Sequence, residues 1–219
     1  MKYNGLLYKS LHRVTRFLSS VQWGGLKAKL NNGVRYEVTQ QEREHMAELL
    51  KRGHYLILTE HKTYLTTYLI GLLTYFKTKQ WPTYVHILMN LDVGTKENEF
   101  GFKLMEATNK GVHYSSFEEV FGCDNICIIE PKNMDLLEWA LVQAELSTQL
   151  GKNYDDFFDI KDDTHVSCVE MCLESLKALS TFEADFPHLD AMIKSVGNLT
   201  PQMYRDCLDF TVIYETKHG

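Results

Sequence analysis

Thr83-Tyr-Val-His-Ile-Leu-Met-Asn-Leu91 is the run that decides the fold. Preceded by Pro82 and rich in β-formers, it reads as a strand, and it carries His86. On its C-terminal side, 98–108 alternates Phe100, Phe102 and Leu104 against polar neighbours and breaks at Asn109-Lys-Gly111, which predicts a strand ending near Glu106. Val112–Tyr114 and Ile126–Ile129, the latter before Pro131, read as further strands, with a short helix at Ser116–Phe121 between them. On its N-terminal side, Thr39-Gln-Gln-Glu42 is a capping-box pattern opening a helix through Met46, Leu49 and Leu50 that Gly53 terminates. A strand at His54–Thr59 follows, and Tyr64–Phe76, apolar nearly all round, reads as a buried helix. Beyond the strand cluster come a helix over Met134–Leu150 that stops at Gly151, a helix from about Cys168 to Leu179 capped by 162–164 or by Ser167, and a strand at Phe210–Tyr214. Strands clustered in sequence and flanked by helices predict an α+β domain.

The bulk properties narrow the function. A chain of 219 residues, 44% hydrophobic and 24% charged, is long enough for one domain with a real core and short of a comfortable two-domain length. A net charge of -6 supplies no overall positive field for phosphate backbones, so duplex nucleic acid is not an expected partner. The five cysteines, at 123, 127, 168, 172 and 207, are odd in number and do not form a disulfide framework, which suits a reducing compartment. The Cys123/Cys127 and Cys168/Cys172 pairs invite a zinc reading, but their three-residue gaps match the usual ligand spacings poorly. No metal and no cofactor is expected.

In the N-terminal segment Leu7, Leu11, Val14, Leu18 and Val21 fall on one helical face opposite Lys9, Arg13 and Arg16. This amphipathic helix either packs on the domain or, through its basic face, touches a membrane surface or substrate. Its apolar positions never form a secretory core, and the Tyr64–Phe76 stretch, interrupted by threonines, is too short to span a bilayer. A cytoplasmic protein with scope for peripheral membrane contact is therefore expected.

A thiol becomes a useful nucleophile when its thiolate is populated, and a helix N-terminus supplies positive potential and unpaired N–H groups for that. Cys168 sits where such a helix begins. The same N–H groups suit the oxyanion of a tetrahedral intermediate. A base must come within reach of the sulfur, and the base needs a partner to fix its tautomer. Strand-borne His86 and Glu106 suit these roles if neighbouring strands join them, while on spacing alone His165, three residues before Cys168, serves equally well as base.

Several ordered blocks resemble the YiiX/YaeF-like, circularly permuted papain-like members of the NlpC/P60 superfamily, in which histidine comes first and cysteine last. Leu50-Lys-Arg-Gly-His-Tyr-Leu-Ile-Leu58 is similar to that family's opening strand, and Tyr84-Val-His-Ile-Leu-Met-Asn-Leu91 to its histidine strand. Leu104-Met-Glu-Ala107, followed by Gly111-Val112 and Phe117-Glu-Glu-Val120, resembles its Phe-Glu-Ala strand, turn and short helix, and Ile126-Cys-Ile-Ile-Glu-Pro131 its next strand. Gly151-Lys-Asn-Tyr-Asp155 with Phe158, Ser167-Cys-Val-Glu-Met171 and Leu199-Thr-Pro-Gln202 resemble the lead-in, the nucleophile block and a late turn. The resemblance covers about residues 45 to 215. There are departures: His54 stands where the family has Asp, Val166-Ser167 replaces an aromatic before the nucleophile, and Val169 replaces a small residue after it.

The resemblance implies a permuted papain-like fold over 45–219, an antiparallel sheet or small barrel packed against helices; residues 1–44 fall outside it and are read from their periodicity as a helical extension. It implies Cys168 as nucleophile, His86 as base and Glu106 as the group orienting the histidine. The activity implied is a thiol hydrolase, amidase, peptidase or esterase, acting through a covalent acyl-enzyme on a peptide, peptidoglycan or acyl-lipid substrate. Lipid acyl hydrolysis or transfer is the alternative within that chemistry, and a catalytically silent binding or structural module is the alternative outside it. Oligomeric state is not readable from the sequence.

Overall fold

A computed structural model describes residues 38–51, 54–60, 71–72, 74–76, 79–92, 102–155, 165–196 and 199–216. The amphipathic helix expected over 7–21 lies outside them. Its domain is built on six antiparallel strands: β1 (Leu56–Glu60), β2 (His86–Asp92), β3 (Phe102–Thr108), β4 (Gly111–Ser115), β5 (Asn125–Pro131) and β8 (Phe210–Glu215), in the order β4-β3-β2-β1-β5-β8. Two further two-residue strands, β6 (Asn153–Tyr154) and β7 (His165–Val166), pair in parallel. The six-stranded sheet is open, with β4 and β8 at its edges, so the antiparallel-sheet form of the expectation holds and the barrel form does not.

The central strands read as continuous apolar runs because both faces of the sheet are covered. On one face Leu56, Leu58, Ile87, Met89, Met105 and Ile129 pack with Trp139, Val142 and Leu146 of helix α3 (Leu136–Thr148) and with Met171, Cys172 and Leu176 of α4 (Cys168–Lys177). On the other, Ile57, Leu88, Leu104, Ile126 and Ile128 pack with Met46 and Leu50 of α1 (Gln40–Leu50) and with Val120 and Phe121 of α2 (Phe117–Phe121). Each of these four helices opens with a capping box: Thr39/Glu42, Ser116/Glu119, Asp135/Glu138 and Ser167/Glu170. The capping box read at Thr39 is therefore present. Asn90, a polar residue inside β2, is satisfied by accepting from the Tyr55 amide at 2.6 Å and donating to the Leu50 carbonyl at 3.2 Å, which ties α1 to the start of β1.

Several expectations shift. The first strand begins at Leu56 rather than His54, β3 continues past Glu106 to Thr108, and α1 runs across position 44/45 with Val38 already buried ahead of it. The stretch read as a buried helix is only partly described. Within it residues 71–72 and 74–76 are helical, but Leu72, Tyr75 and Phe76 are exposed, so that helix is not buried all round. Three short helices that the periodicity did not reveal follow α4: α5 (Phe182–Asp185), α6 (Pro187–Val196) and α7 (Pro201–Asp206).

The turn at Asn109-Lys110 is closed by Gly111 at φ +90°, where a Cβ would lie 2.5 Å from the Lys152 carbonyl oxygen. That carbonyl accepts from the Val112 amide at 2.9 Å, and the Gly151 amide donates to the Val112 carbonyl at 2.9 Å, so the backbones must approach closely. Gly111→Ala combines left-handed strain with a clash against backbone, and we expect it to destabilise the domain by about 3 kcal/mol or more, read from urea unfolding.

Candidate active site

Cys168 is the first residue of α4, the N1 position behind the Ser167 cap. The Ser167 hydroxyl accepts from the Glu170 amide at 3.3 Å, and the Glu170 carboxylate accepts from the Ser167 amide at 2.8 Å. Ser-x-x-Glu is itself a helix-start signature, so of the two caps read from the sequence Ser167 is the one used. In consequence the sulfur stands at the positive end of the helix, beside first-turn amides that have no helical acceptor.

His86 opens β2, opposite Thr59 of β1, and Glu106 lies within β3 opposite His113 of β4. His86 Nε2 is 2.8 Å from Glu106 Oε2, and a carboxylate only accepts, so Nε2 carries the proton. Cys168 lies close enough to the imidazole for its charge to act on it. With Nε2 committed to Glu106, Nδ1 is the nitrogen left for the sulfur. The structure thus brings together the three residues singled out from the sequence, which lie far apart in the chain. His165, the other candidate base, sits on β7 paired with Asn153. His54 packs on Trp139, ring centroids 5.1 Å apart.

Electrostatics follow from this arrangement. Burial by itself would lower His86, but the Cys168 charge, followed by the hydrogen bond and charge of Glu106, outweighs it and pushes the imidazole up to about 10. Burial would raise Glu106, but the His86 hydrogen bond and charge, then Ser115 and His113, bring it down to about 2. The remaining cysteines are all free and buried, and burial drives Cys123, Cys127 and Cys207 up to about 12 and Cys172 upward as well. Those four are inert thiols, whereas Cys168 has an imidazole beside it.

The two shifts share the His86–Glu106 interaction, to which Cys168 adds at His86, and together they predict a stability profile. Glu106 sits below its unfolded value of 4.5, so its contribution is present above that pH and is lost as pH falls toward about 2. His86 sits above its unfolded value of 6.5, so its contribution is full below that pH and is lost as pH rises through about 10. The melting temperature of wild type relative to Glu106→Gln should therefore be highest near pH 5 to 6 and converge toward both extremes.

Two residues at the site escaped the sequence reading. Ser115 donates a short hydrogen bond to Glu106 Oε1, and His113 Nε2 lies 3.6 Å from the same oxygen. Their signal was the alternation of β4, which places positions 113 and 115 on the face of Glu106.

The fold and site define an α+β domain in which a helix-start cysteine faces a strand-borne histidine backed by a glutamate. Among solved structures the chain matches the crystal structure of the metalloprotein YiiX from Escherichia coli O157:H7, with a TM-score of 0.55 and 15% identity, over 74% of this chain and 96% of that one. The YiiX-like fold expected from the sequence blocks is therefore present. No family model matches the sequence, and no curated protein gives a significant match. The metal in that description is YiiX's own. Here, no group of three or more His, Cys, Asp or Glu side chains among the described residues is arranged to hold a metal ion. At the site the donors face one another, with Glu106 Oε2 on His86 and Oε1 on Ser115. The residues present do not fit such a group. No helix among the described residues is long and apolar enough to cross a membrane.

Proposed function

We propose that the protein is a thiol hydrolase of the circularly permuted papain-like type, cleaving an amide or ester through a covalent acyl-enzyme. The observation that carries this reading is the meeting of Cys168, at a helix start, with an imidazole that is hydrogen-bonded to Glu106. The sulfur attacks the carbonyl carbon as thiolate, with the proton held on His86. A C–S bond forms, and the first-turn amide of Cys168 stabilises the oxyanion. As the tetrahedral intermediate collapses, the carbon–heteroatom bond breaks and His86 gives its proton to the departing amine or alcohol. Water then attacks the thioester, returns a proton to His86, and releases the carboxylic acid and the thiolate. Glu106 holds the ring throughout, with Nε2–H toward the carboxylate and Nδ1 toward sulfur.

The test is intact-mass measurement on the full chain after incubation with activated acyl probes, comprising peptidyl esters, simple aryl esters and acyl-lipid analogues. A single acyl adduct on Cys168 is expected, and the arm that gives it reports the acyl preference. A folded protein that takes no adduct from any arm, and whose Cys168 reacts with iodoacetamide no faster than the other thiols, is a silent module and the hydrolase reading is wrong.

A further inference from the structure

A carboxylate that orients an imidazole must itself be held, and Glu106 has one oxygen on His86 and one to spare. The spare oxygen, Oε1, accepts from the Ser115 hydroxyl. Ser115 is buried, so bulk water does not take the place of that donor. His113 Nε2 lies 3.2 Å from Ser115 Oγ, on the side away from Glu106's partner histidine. His113 is anchored in turn, because its Nδ1–H donates to the Gly111 carbonyl at 2.9 Å. The β3–β4 register supplies the geometry: Glu106 is opposite His113 and Leu104 is opposite Ser115, so both side chains flank Glu106 on one face of the hairpin.

From these contacts the geometry points to Ser115 as a positioning residue for the triad, with His113 as its support. A serine hydroxyl has a single hydrogen, and here it is spent on the carboxylate in a charge-assisted bond. The terminal torsion of a glutamate is broad, so one fixed oxygen leaves the carboxylate free to swing, whereas two fixed oxygens define its plane. With Oε1 pinned by Ser115, Oε2 is presented to His86 Nε2, and the ring is held with Nδ1 toward Cys168. His113, held at Nδ1, places Nε2 3.2 Å from Ser115 Oγ, where an Nε2–H donates to the hydroxyl oxygen and leaves the serine hydrogen for Glu106. The inference rests on reading Cys168, His86 and Glu106 as one catalytic unit.

Two readouts on the full chain test it: the titration of the His86 imidazole by nuclear magnetic resonance, and the pH profile of Cys168 alkylation by iodoacetamide. Ser115→Ala should lower the His86 midpoint and slow alkylation at neutral pH by about tenfold, the scale on which loss of an outer orienting partner is felt. Ser115→Thr, which keeps the hydroxyl, should restore both. A folded Ser115→Ala protein with a wild-type titration and profile overturns the proposal, as does a folded Ser115→Thr protein that restores neither. If Ser115→Ala does not fold, His113→Phe decides in its place: slowed alkylation with a lowered His86 midpoint supports the proposal, and wild-type behaviour overturns it. Failure of the hydrolase reading looks different, since Cys168 is then no more reactive than the other thiols while His86 still registers the loss of Ser115.

Discussion

Cys168→Ala is expected to abolish acyl-enzyme formation and to reduce turnover on the order of 10⁶-fold, the scale on which removing a nucleophile from a hydrogen-bonded catalytic unit is felt. No other thiol can substitute, because Cys123, Cys127, Cys172 and Cys207 are pushed upward by burial, whereas Cys168, also buried, has His86 beside it. The fold should survive. The Ser167/Glu170 capping box does not involve the sulfur, so α4 keeps its start, and the lost packing should cost about 1 kcal/mol. A second readout separates a site effect from a folding effect. Cys168 is the first of the groups that hold His86 up, so in Cys168→Ala the imidazole midpoint should drop while the Glu106 contact remains. A folded, fully active Cys168→Ala protein, or one whose His86 titrates as in wild type, would remove the sulfur from the chemistry.

Parts of this architecture were legible in the sequence because the physics that forms them is local. The strands containing Ile57, Leu88 and Ile128 appear as apolar runs since helices cover both faces of the sheet, and the Asn109-Lys-Gly111 break is visible because only glycine tolerates that backbone conformation. Helix α6 was not legible for the opposite reason. Its Leu189 amide is capped by the Asp209 carboxylate at 2.7 Å, an acceptor twenty residues away, and Leu189 is its one buried side chain. The cap is absent from its own sequence, and the stripe Leu189, Met192, Ile193 and Val196, although present at helical spacing, lies within a segment not assigned from the sequence. The two-residue strands β6 and β7 are likewise set by contacts to β4 rather than by their composition.

At the site the same division holds. Cys168 and the residues that cap its helix lie in one short block, and a histidine in an otherwise apolar strand attracts notice, so the resemblance had residues to act on. Glu106 alone looked like any glutamate near a strand end. Its significance comes from pairing: β3 lies between β2 and β4, which places His86 on one side of the carboxylate and His113 with Ser115 on the other. Ser115 and His113 did not stand out because the alternation that places them beside Glu106 is ordinary in an edge strand.

Glu106→Gln should also damage the chemistry severely, though less than loss of the sulfur, and for a different reason. The amide has the shape of the carboxylate but offers one acceptor and one donor group where the acid offers two acceptors. If the amide oxygen takes the Ser115 hydrogen bond, its NH₂ faces His86 Nε2, which must then give up its proton and act as acceptor. The ring's proton moves to Nδ1, the atom that has to receive the proton from Cys168, and the base is in the wrong tautomer. A defect of this kind costs up to about 10⁴-fold in turnover. If instead the amide flips, its oxygen serves His86 but Ser115 must turn its hydrogen away, and the charge that helps hold His86 up is still gone. In either orientation the His86 midpoint falls and Cys168 alkylation slows at neutral pH. Glu106→Asp keeps the charge but shortens the reach, so it should titrate His86 more nearly as wild type while turning over poorly. Should Glu106→Gln instead hydrolyse the responding acyl probe at the wild-type rate, the carboxylate would be a structural anchor for β4 alone, and the catalytic unit would reduce to Cys168 and His86.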